Sequence, residues 1–406
     1  MPPSPKASEL PKVKVSPRGA ERLKCGHVWV YRSDILSTDN IAPGSVVAVT
    51  DQRGKPLGTA LYSSSSQIAI RLISHDPVAD LPALLRTRIA DAIAYREKIV
   101  RDTNAYRVIF SEADFLPGLI VDRYNDILSL QILTQAMDAN LVRESVISAL
   151  TQPALTQQLA PASVIERVDP RVRELETLPA RASGLLHGEK TATTFTMNGV
   201  QFHYDALEGQ KTGAFLDQRE NYAAAAQYAK GEALDVFCYQ GGFALHLARV
   251  CDLVTGVDSS RPALEVADQN AALNHALLKG KEIEWIEANA FDLLKDYAAS
   301  NHRYDTVVLD APAFAKSKRD LDAALRGYKE LNLRALKMLR PGGILVTCSC
   351  SYHVNEASFL EMLTSAALDA RRNLRLVEVR GQSKDHPVLL SVPETAYLKC
   401  VIAYVS

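Results

Sequence analysis

Over residues 13–74 the apolar positions come in short alternating runs broken by turn residues. SVVAVTD and LGTALYS flank the turn QRGKP, and QIAIRLIS alternates apolar with polar side chains. Half-buried strands show this period of two, because successive side chains point to opposite faces. The spacing predicts a small all-β module over residues 12–76. Residues 78–101 carry apolar side chains at helical spacing and predict a connecting helix. Residues 1–11, rich in Pro, Ser and Lys, read as a loose tail.

Between residues 77 and 195 the two patterns mix, which predicts an α+β middle domain. YRVIFSE and GLIVDRYNDILSLQIL read as strands, with a turn at Tyr124-Asn125-Asp126, and NLVRESVISALT reads as a helix. TTFTMNGVQFHYD places Asn198-Gly199 between two alternating runs. That is a hairpin signal, since both turn positions need positive φ. Within residues 196–406 the pattern changes at about Gly231 to strands that are apolar nearly throughout, alternating with amphipathic helices. EALDVFCY, LVTGVD, EIEWIEAN, YDTVVLDAP and GGILVTCSCS are the strands. Strands buried on both faces and separated by helices predict a parallel, doubly wound α/β sheet. NLRLVEVR and AYLKCVIAYV are expected to close it with antiparallel strands.

Composition narrows the classes. The apolar fraction of 47% and charged fraction of 23% are ordinary for a globular chain. A net charge of -1 supplies no global basic field, so any nucleic-acid contact must use local patches. No apolar run reaches membrane-spanning length, and the N-terminus has no signal-peptide core. No membrane partner is expected. The six cysteines show no zinc spacing, so no metal is expected, and free thiols in a reducing cytoplasm are the simplest reading.

Three strand ends carry candidate cofactor chemistry. Asp235 ends the first strand of the doubly wound region, followed by Phe237 and the pair Gly241-Gly242, where glycines let a backbone approach a ligand. A tight structural turn explains the glycines equally well. Asp258 ends the second strand, where a carboxylate suits the two hydroxyls of a ribose. Ser259 or Ser260 can cap the next helix and leave Asp258 for a ligand. Asn289 ends the third strand and is a candidate adenine contact, or a plain turn residue. The loop lacks the glycine spacing that cradles a diphosphate. A phosphate-free nucleoside cofactor, such as S-adenosyl-L-methionine, fits better than NAD.

Two further strand ends carry candidate reaction chemistry. Asp310 follows YDTVVL, and Cys348 and Cys350 end GGILVTCSCS, with strand alternation pointing both cysteines to one face. A cysteine in an apolar strand is more often inert core. A thiolate beside a carboxyl group is, however, what methylation at carbon 5 of cytosine requires. That carbon becomes nucleophilic only after a thiolate adds to carbon 6. A carboxylic acid at ring nitrogen 3 then stabilises the adduct.

At these residues the chain resembles the bacterial 23S ribosomal RNA cytosine-5 methyltransferases with an N-terminal PUA domain. The resemblance runs from about Lys12 to Val405. GHVWVYRSDI resembles the PUA opening and SEADFLPGLIVDRYND the middle domain. HYDALEGQKTGAFLDQREN is the most family-specific stretch. DVFCYQGGFALHLA, Asp258, DAPAFAKSK and GGILVTCSCSYHV resemble successive methyltransferase motifs. The resemblance implies a Rossmann-like class I methyltransferase sheet behind a PUA domain, with ribosomal RNA as partner and a homodimer as a candidate assembly. It implies that Lys211, Thr212, Gly213, Asp217, Gln218 and Arg219 line the crevice, Gln218 toward the cofactor and Lys211 and Arg219 toward RNA. It implies that Cys350, in Ser-Cys-Ser, is the nucleophile, with Asp310 beside the base and the cofactor. Cys348 matches a neighbouring family's register. Ala311 stands where the family has proline, and Asn289 where it has aspartate. In the N-terminal module Arg18, Arg22, Lys24 and Arg32 surround Trp29 and Tyr31 as candidate RNA contacts. Two other readings remain: an RNA methyltransferase acting on an exocyclic amine, and a non-catalytic RNA-binding assembly factor.

Overall fold

A computed structural model describes residues 10–38, 40–157, 159–207, 213–300, 302–315 and 317–406. The chain divides into two compact units. One holds the chain up to Thr194 together with Tyr204–Gly213 and Lys384–Thr395. The other holds Phe195–His203, Ala214–Ser383 and Ala396–Ser406.

The first unit contains two sheets. The six-stranded sheet runs in the order Trp29–Tyr31, Ile68–Ser74, Pro56–Tyr62, Val46–Thr50, Lys12–Val15, Ile35–Thr38. The five-stranded sheet runs Gly184–His187, Ser163–Glu166, Ile127–Ile132, Leu119–Tyr124, Ala105–Phe110. The helix Leu81–Ile99 does more than connect them. Its Leu85, Ile89 and Ile93 share one core with Val108 and Val121 of the second sheet and with Leu61 and Ile73 of the first. That common burial is why the two sheets form one unit.

The second unit is built on a seven-stranded sheet. Its strands are β1 (Glu232–Val236), β2 (Leu253–Asp258), β3 (Ile283–Glu287), β4 (Tyr304–Ala311), β5 (Leu339–Ser349), β6 (Leu374–Arg380) and β7 (Lys399–Val405), in the order β3-β2-β1-β4-β5-β7-β6. The first five pair in parallel, whereas β7 pairs antiparallel with both β5 and β6. The helices are α1 (Arg219–Tyr228), α2 (Gly242–Leu247), α3 (Arg261–Leu273), α4 (Ala290–Ala299), α5 (Leu321–Met338) and α6 (Glu356–Ala370). This is the doubly wound, Rossmann-like sheet expected from the apolar strands. Strand order reverses at β1, between β2 and β4, and the carboxyl ends on either side of such a switch point form a ligand crevice. Leu234, Val307, Leu309, Leu345 and Val401 from the strands pack with Leu331, Leu336, Phe359 and Leu363 from α5 and α6.

The hairpin at Asn198-Gly199 forms with φ of 52° and 82°, the positive pair its sequence requires. Among the described residues no helix is long and apolar enough to cross a membrane, and no group of three or more His, Cys, Asp or Glu could hold a metal ion.

Candidate active site

The loop from β1 to α2 is the most strained backbone near the crevice. Phe237 and Tyr239 have φ of 68° and 50°, and Gly241 has 85°. Non-glycine residues in this region cost energy and persist only where surroundings hold them. The holding contacts are backbone amides. Phe237 and Cys238 both donate to Val257 O, at 2.8 and 3.0 Å. Tyr239 donates to Asp258 Oδ2 at 2.9 Å. The other Asp258 oxygen accepts from the Ser260 amide at 2.9 Å. Ser260 caps α3, as its sequence allowed. Asp258 is therefore half-buried and anchored, and each of its oxygens keeps a lone pair for a ligand.

The glycine pair has a packing reason as well. A Cβ on Gly241 would lie 2.9 Å from Trp285 Cη2, and one on Gly242 2.5 Å from Tyr222 Oη. Trp285 on β3 also packs on Gly256, where a Cβ would meet it at 2.4 Å. Nothing in the sequence pattern marks Trp285, because its partners come from other strands. Asp235 is fully buried, and Oδ2 accepts from the Ala244 amide at 2.8 Å while Oδ1 has no partner. Burial pushes its carboxyl well above the usual carboxylate range.

Asn289 departs from expectation. Its side-chain oxygen accepts from the Phe291 and Asp292 amides, at 2.9 and 3.4 Å, and caps α4. The oxygen is occupied by the helix end, so an adenine contact there would fall to the amide nitrogen.

Asp310 sits at the end of β4, in register with Cys348 on β5. Its Oδ1 accepts from Gln218 Nε2 at 2.8 Å, Gln218 Oε1 accepts from Asn221 Nδ2 at 2.7 Å, and Asn221 Oδ1 accepts from Arg380 Nε at 2.9 Å. A guanidinium can only donate and a carbonyl can only accept, so Arg380, together with Gly381 O, which accepts from Asn221 Nδ2 at 3.1 Å, fixes the direction of both amides. Oδ1 of Asp310 must then accept, and any proton on this carboxyl sits on Oδ2. Gln218, expected as a cofactor contact, is 3% exposed and committed at both ends to this relay.

The two cysteines do not share a setting. The β5 ladder stops at Ser349, so Cys350 lies beyond the strand and not on its alternating face. Cys348 is fully buried, directly opposite Cys400 on β7. Burial, with Cys400 next to it, pushes the Cys348 thiol up strongly. Cys350 is half-buried, whereas Cys348 and Cys400 on the sheet are buried. The serines beside it shape its turn. Ser351 Oγ accepts from the Ala315 amide at 3.3 Å and lies 3.0 Å from Tyr328 Oη. The Tyr328 hydroxyl also donates to Pro312 O at 3.3 Å, tying the loop after Asp310 to the loop at Cys350. Ala311 extends the β4 ladder, paired with Ser349.

Of the remaining expected residues, Lys211 and Thr212 lie outside the described residues. Gly213 has φ of 139°, and a Cβ there would meet the Tyr204 ring at 2.6 Å. Asp217 Oδ2 accepts from the Tyr397 hydroxyl at 2.6 Å. Arg219 is 2% exposed and lies beside Glu220, so it is an interior side chain and not a surface phosphate contact. In the N-terminal module Arg18 is tied to Asp34 at 2.9 Å. Trp29, a candidate RNA contact, donates its indole N–H to Glu112 at 3.0 Å. Arg32 donates to Ser64 O and Ser66 O. Arg22 stacks 4.7 Å over Tyr31, and Lys24 is exposed.

A cleft at these strand ends is lined by Phe215, Phe237, Tyr239, Phe243 and Asp310, and among the described residues no lysine or arginine lines it. Aromatic walls with one carboxylate, Asp310, suit an adenosine and an α-amino group. Residues 132–402 match the sequence profile of the S-adenosylmethionine-dependent methyltransferases. This chain belongs to that family. Residues 13–75 match the PUA-like domain. Ribosomal RNA large subunit methyltransferase I of Shewanella denitrificans is 37% identical over 403 residues, spanning 97% of this chain and 99% of its own length. The protein of that name from Yersinia pseudotuberculosis is 37% identical over 383 residues, or 92% of this chain and 94% of its own. A methyltransferase solved with SAH superposes with a TM-score of 0.82 at 19% identity, covering 97% of this chain and 100% of that one. A SAM-dependent methyltransferase from Streptococcus mutans gives 0.80 at 18%, with the same coverage. At those identities the likeness to solved structures is one of fold. The methyltransferase uses S-adenosylmethionine as cofactor, and the aromatic cleft with Asp310 in its lining fits that molecule.

Proposed function

We propose that this methyltransferase modifies carbon 5 of a cytosine in ribosomal RNA, through a covalent adduct to Cys350. Ribosomal RNA as substrate is supported by the relatives' name and by the PUA-like module. The observation that carries the cytosine reading is a half-buried thiol, Cys350, immediately beyond the end of β5 and next to the strand β4 that carries Asp310 at its end, while Cys348, the β5 residue in register with Asp310, is fully buried. A methyltransferase acting on an exocyclic amine has no use for that thiol.

In this account Asp258 binds the ribose hydroxyls, and the Phe237 and Gly241-Gly242 loop flanks the adenosine. The cofactor, when bound, supplies an electrophilic methyl group. The target cytosine leaves its stack, because a base inside a helix cannot reach a strand-end thiol. Cys350 Sγ, as thiolate, adds to carbon 6, and the carbon 5–carbon 6 π pair becomes nucleophilic at carbon 5. Asp310 Oδ2 gives its proton to ring nitrogen 3, while Gln218 holds Oδ1. Once carbon 5 carries the methyl group, its hydrogen is lost as a proton to a base. The double bond reforms, the Cys350 thiolate leaves, and nitrogen 3 returns its proton to Asp310. Residues 12–76 bind the RNA, with Arg22, Lys24 and Arg32 as phosphate contacts.

The test is methyl transfer from labelled cofactor to undermethylated ribosomal RNA, followed by mapping of the modified base. Wild-type enzyme and Cys348→Ala are expected to label carbon 5 of one cytosine, and Cys350→Ala to label nothing while still binding cofactor. Label on an exocyclic amine, with Cys350→Ala active, overturns the reading.

A further inference from the structure

Lys399 opens β7 directly opposite Ser349, the residue before Cys350. It is 8% exposed. Its ammonium donates to Ser351 O at 2.7 Å and Tyr397 O at 2.8 Å. One of those carbonyls belongs to the residue that follows Cys350. Among the described residues no carboxylate pairs with this lysine. Burying an ammonium against neutral dipoles alone is costly, and such groups are normally paired. Burial pulls the Lys399 pKa down to about 8, and the one opposing influence is Cys350, which raises it. The Tyr328 phenol on α5, kept neutral chiefly by burial, also lies near Cys350, and Asp310 on β4 is in register with Cys348, two residues before it. Neither supplies positive charge.

We infer that Lys399 is a positioning residue that holds Cys350 as a thiolate, its buried ammonium serving as the counter-charge fixed in place by the Ser351 and Tyr397 carbonyls. A thiolate is the competent nucleophile, and a neighbouring lysine favours it. The inference rests on Cys350 as nucleophile, but its chemistry is readable without RNA. When the thiolate becomes a neutral thioether, Lys399 loses its counter-charge, which favours return of the electron pair to sulfur in the last step.

The experiment follows iodoacetamide alkylation of Cys350 in the full-length protein against pH, resolved by peptide mass spectrometry, without RNA or cofactor. Wild-type Cys350 is expected to titrate below the ordinary thiol value of about 8.5. Lys399→Gln, which can still donate to both carbonyls but carries no charge, is expected to move the midpoint up by roughly one unit. Its alkylation at pH 7 should then slow by about tenfold, following the thiolate fraction. Lys399→Arg, which retains the charge, is expected to stay near wild type. Methyl transfer by Lys399→Gln should recover as pH rises, with cofactor affinity unchanged. Equal midpoints in wild type and Lys399→Gln overturn the inference. If Lys399→Gln does not fold, a Lys399→Arg midpoint at or above the ordinary thiol value overturns it. A Lys399-dependent midpoint together with active Cys350→Ala would instead sink the cytosine-5 reading and leave the lysine–thiolate pair standing.

Discussion

Arg380 shows how one side chain can orient a reaction it does not touch. It is a pure donor, so Asn221 turns its oxygen to it and its nitrogen to Gln218, and Gln218 turns its nitrogen to Asp310. Glu378 holds the far side of the guanidinium. Replacing Arg380 with methionine leaves the Asn221 oxygen without its donor and the Asn221 amide held through Gly381 O, which loosens the hold on Gln218 and, through it, on Asp310. Loss of one oriented hydrogen bond is worth about 1–1.5 kcal/mol, or roughly tenfold in rate. Arg380→Met is therefore expected to lower kcat about tenfold with cofactor affinity unchanged, read by single-turnover kinetics and calorimetry. Unchanged kcat would mean that the relay is only structural. In the sequence, Asp310 and Asp258 were marked by strand-end position and residue type, whereas Cys350 was set apart from Cys348 only by the family resemblance. Gln218 was marked only by the resemblance, and as a cofactor contact, and Lys399 was not marked. A glutamine inside a helix start and a lysine opening an apolar strand acquire meaning only from partners about 92 and 48 positions distant.

At the scale of elements, the hairpin at Asn198-Gly199 and α2 meet through His246. Its Nδ1 donates to Gly242 O at 2.7 Å, which leaves Nε2 to accept from Asn198 Nδ2 at 3.2 Å. Only the neutral imidazole satisfies both, and burial lowers its pKa to about 4. The unfolded chain takes up a proton near pH 6.5, the folded one only near 4, so stability is full above pH 6.5 and falls as pH drops toward 4. Between pH 7 and pH 5 this residue should cost about 2 kcal/mol. Urea unfolding at the two values checks it: His246→Gln should show a shallower loss than wild type, and an identical loss would refute the assignment. The elements themselves were read well where patterning is local. Long apolar strands, the helix at Leu81–Ile99 and the Asn-Gly hairpin each carry their own signal. Ser163–Glu166 and Gly184–His187 were missed, because four residues are too few for a period and their pairing partners lie elsewhere in the chain.

At the scale of the molecule, the shared core sets how the RNA-binding proposal can be tested. Leu61 and Ile73 of the N-terminal module are buried with Leu85, Ile89 and Val121. Deleting the module would expose that core, so a truncated chain would report unfolding and not binding. Substituting alanine for Arg22 and Lys24, on the helix Pro17–Lys24, leaves the core intact. RNA affinity is expected to fall, with a salt slope shallower by about 0.9 for each phosphate that is no longer neutralised. Cofactor affinity should not change. An unaltered slope would remove these two residues from the interface. The sharing of one core between the two sheets was not legible in the sequence, since an apolar residue does not declare which sheet will cover it.

The central claim is a covalent bond between Cys350 and carbon 6 of the target base. Ribosomal RNA carrying 5-fluorocytosine tests it directly, because fluorine cannot leave carbon 5 as a proton and the adduct is trapped after methyl transfer. With cofactor present, wild-type enzyme and Cys348→Ala should yield a denaturation-resistant protein–RNA complex whose cross-linked peptide contains Cys350, and Cys350→Ala should yield none. A complex joined through Cys348, or no complex from an enzyme that methylates unsubstituted RNA at full rate, would contradict the account.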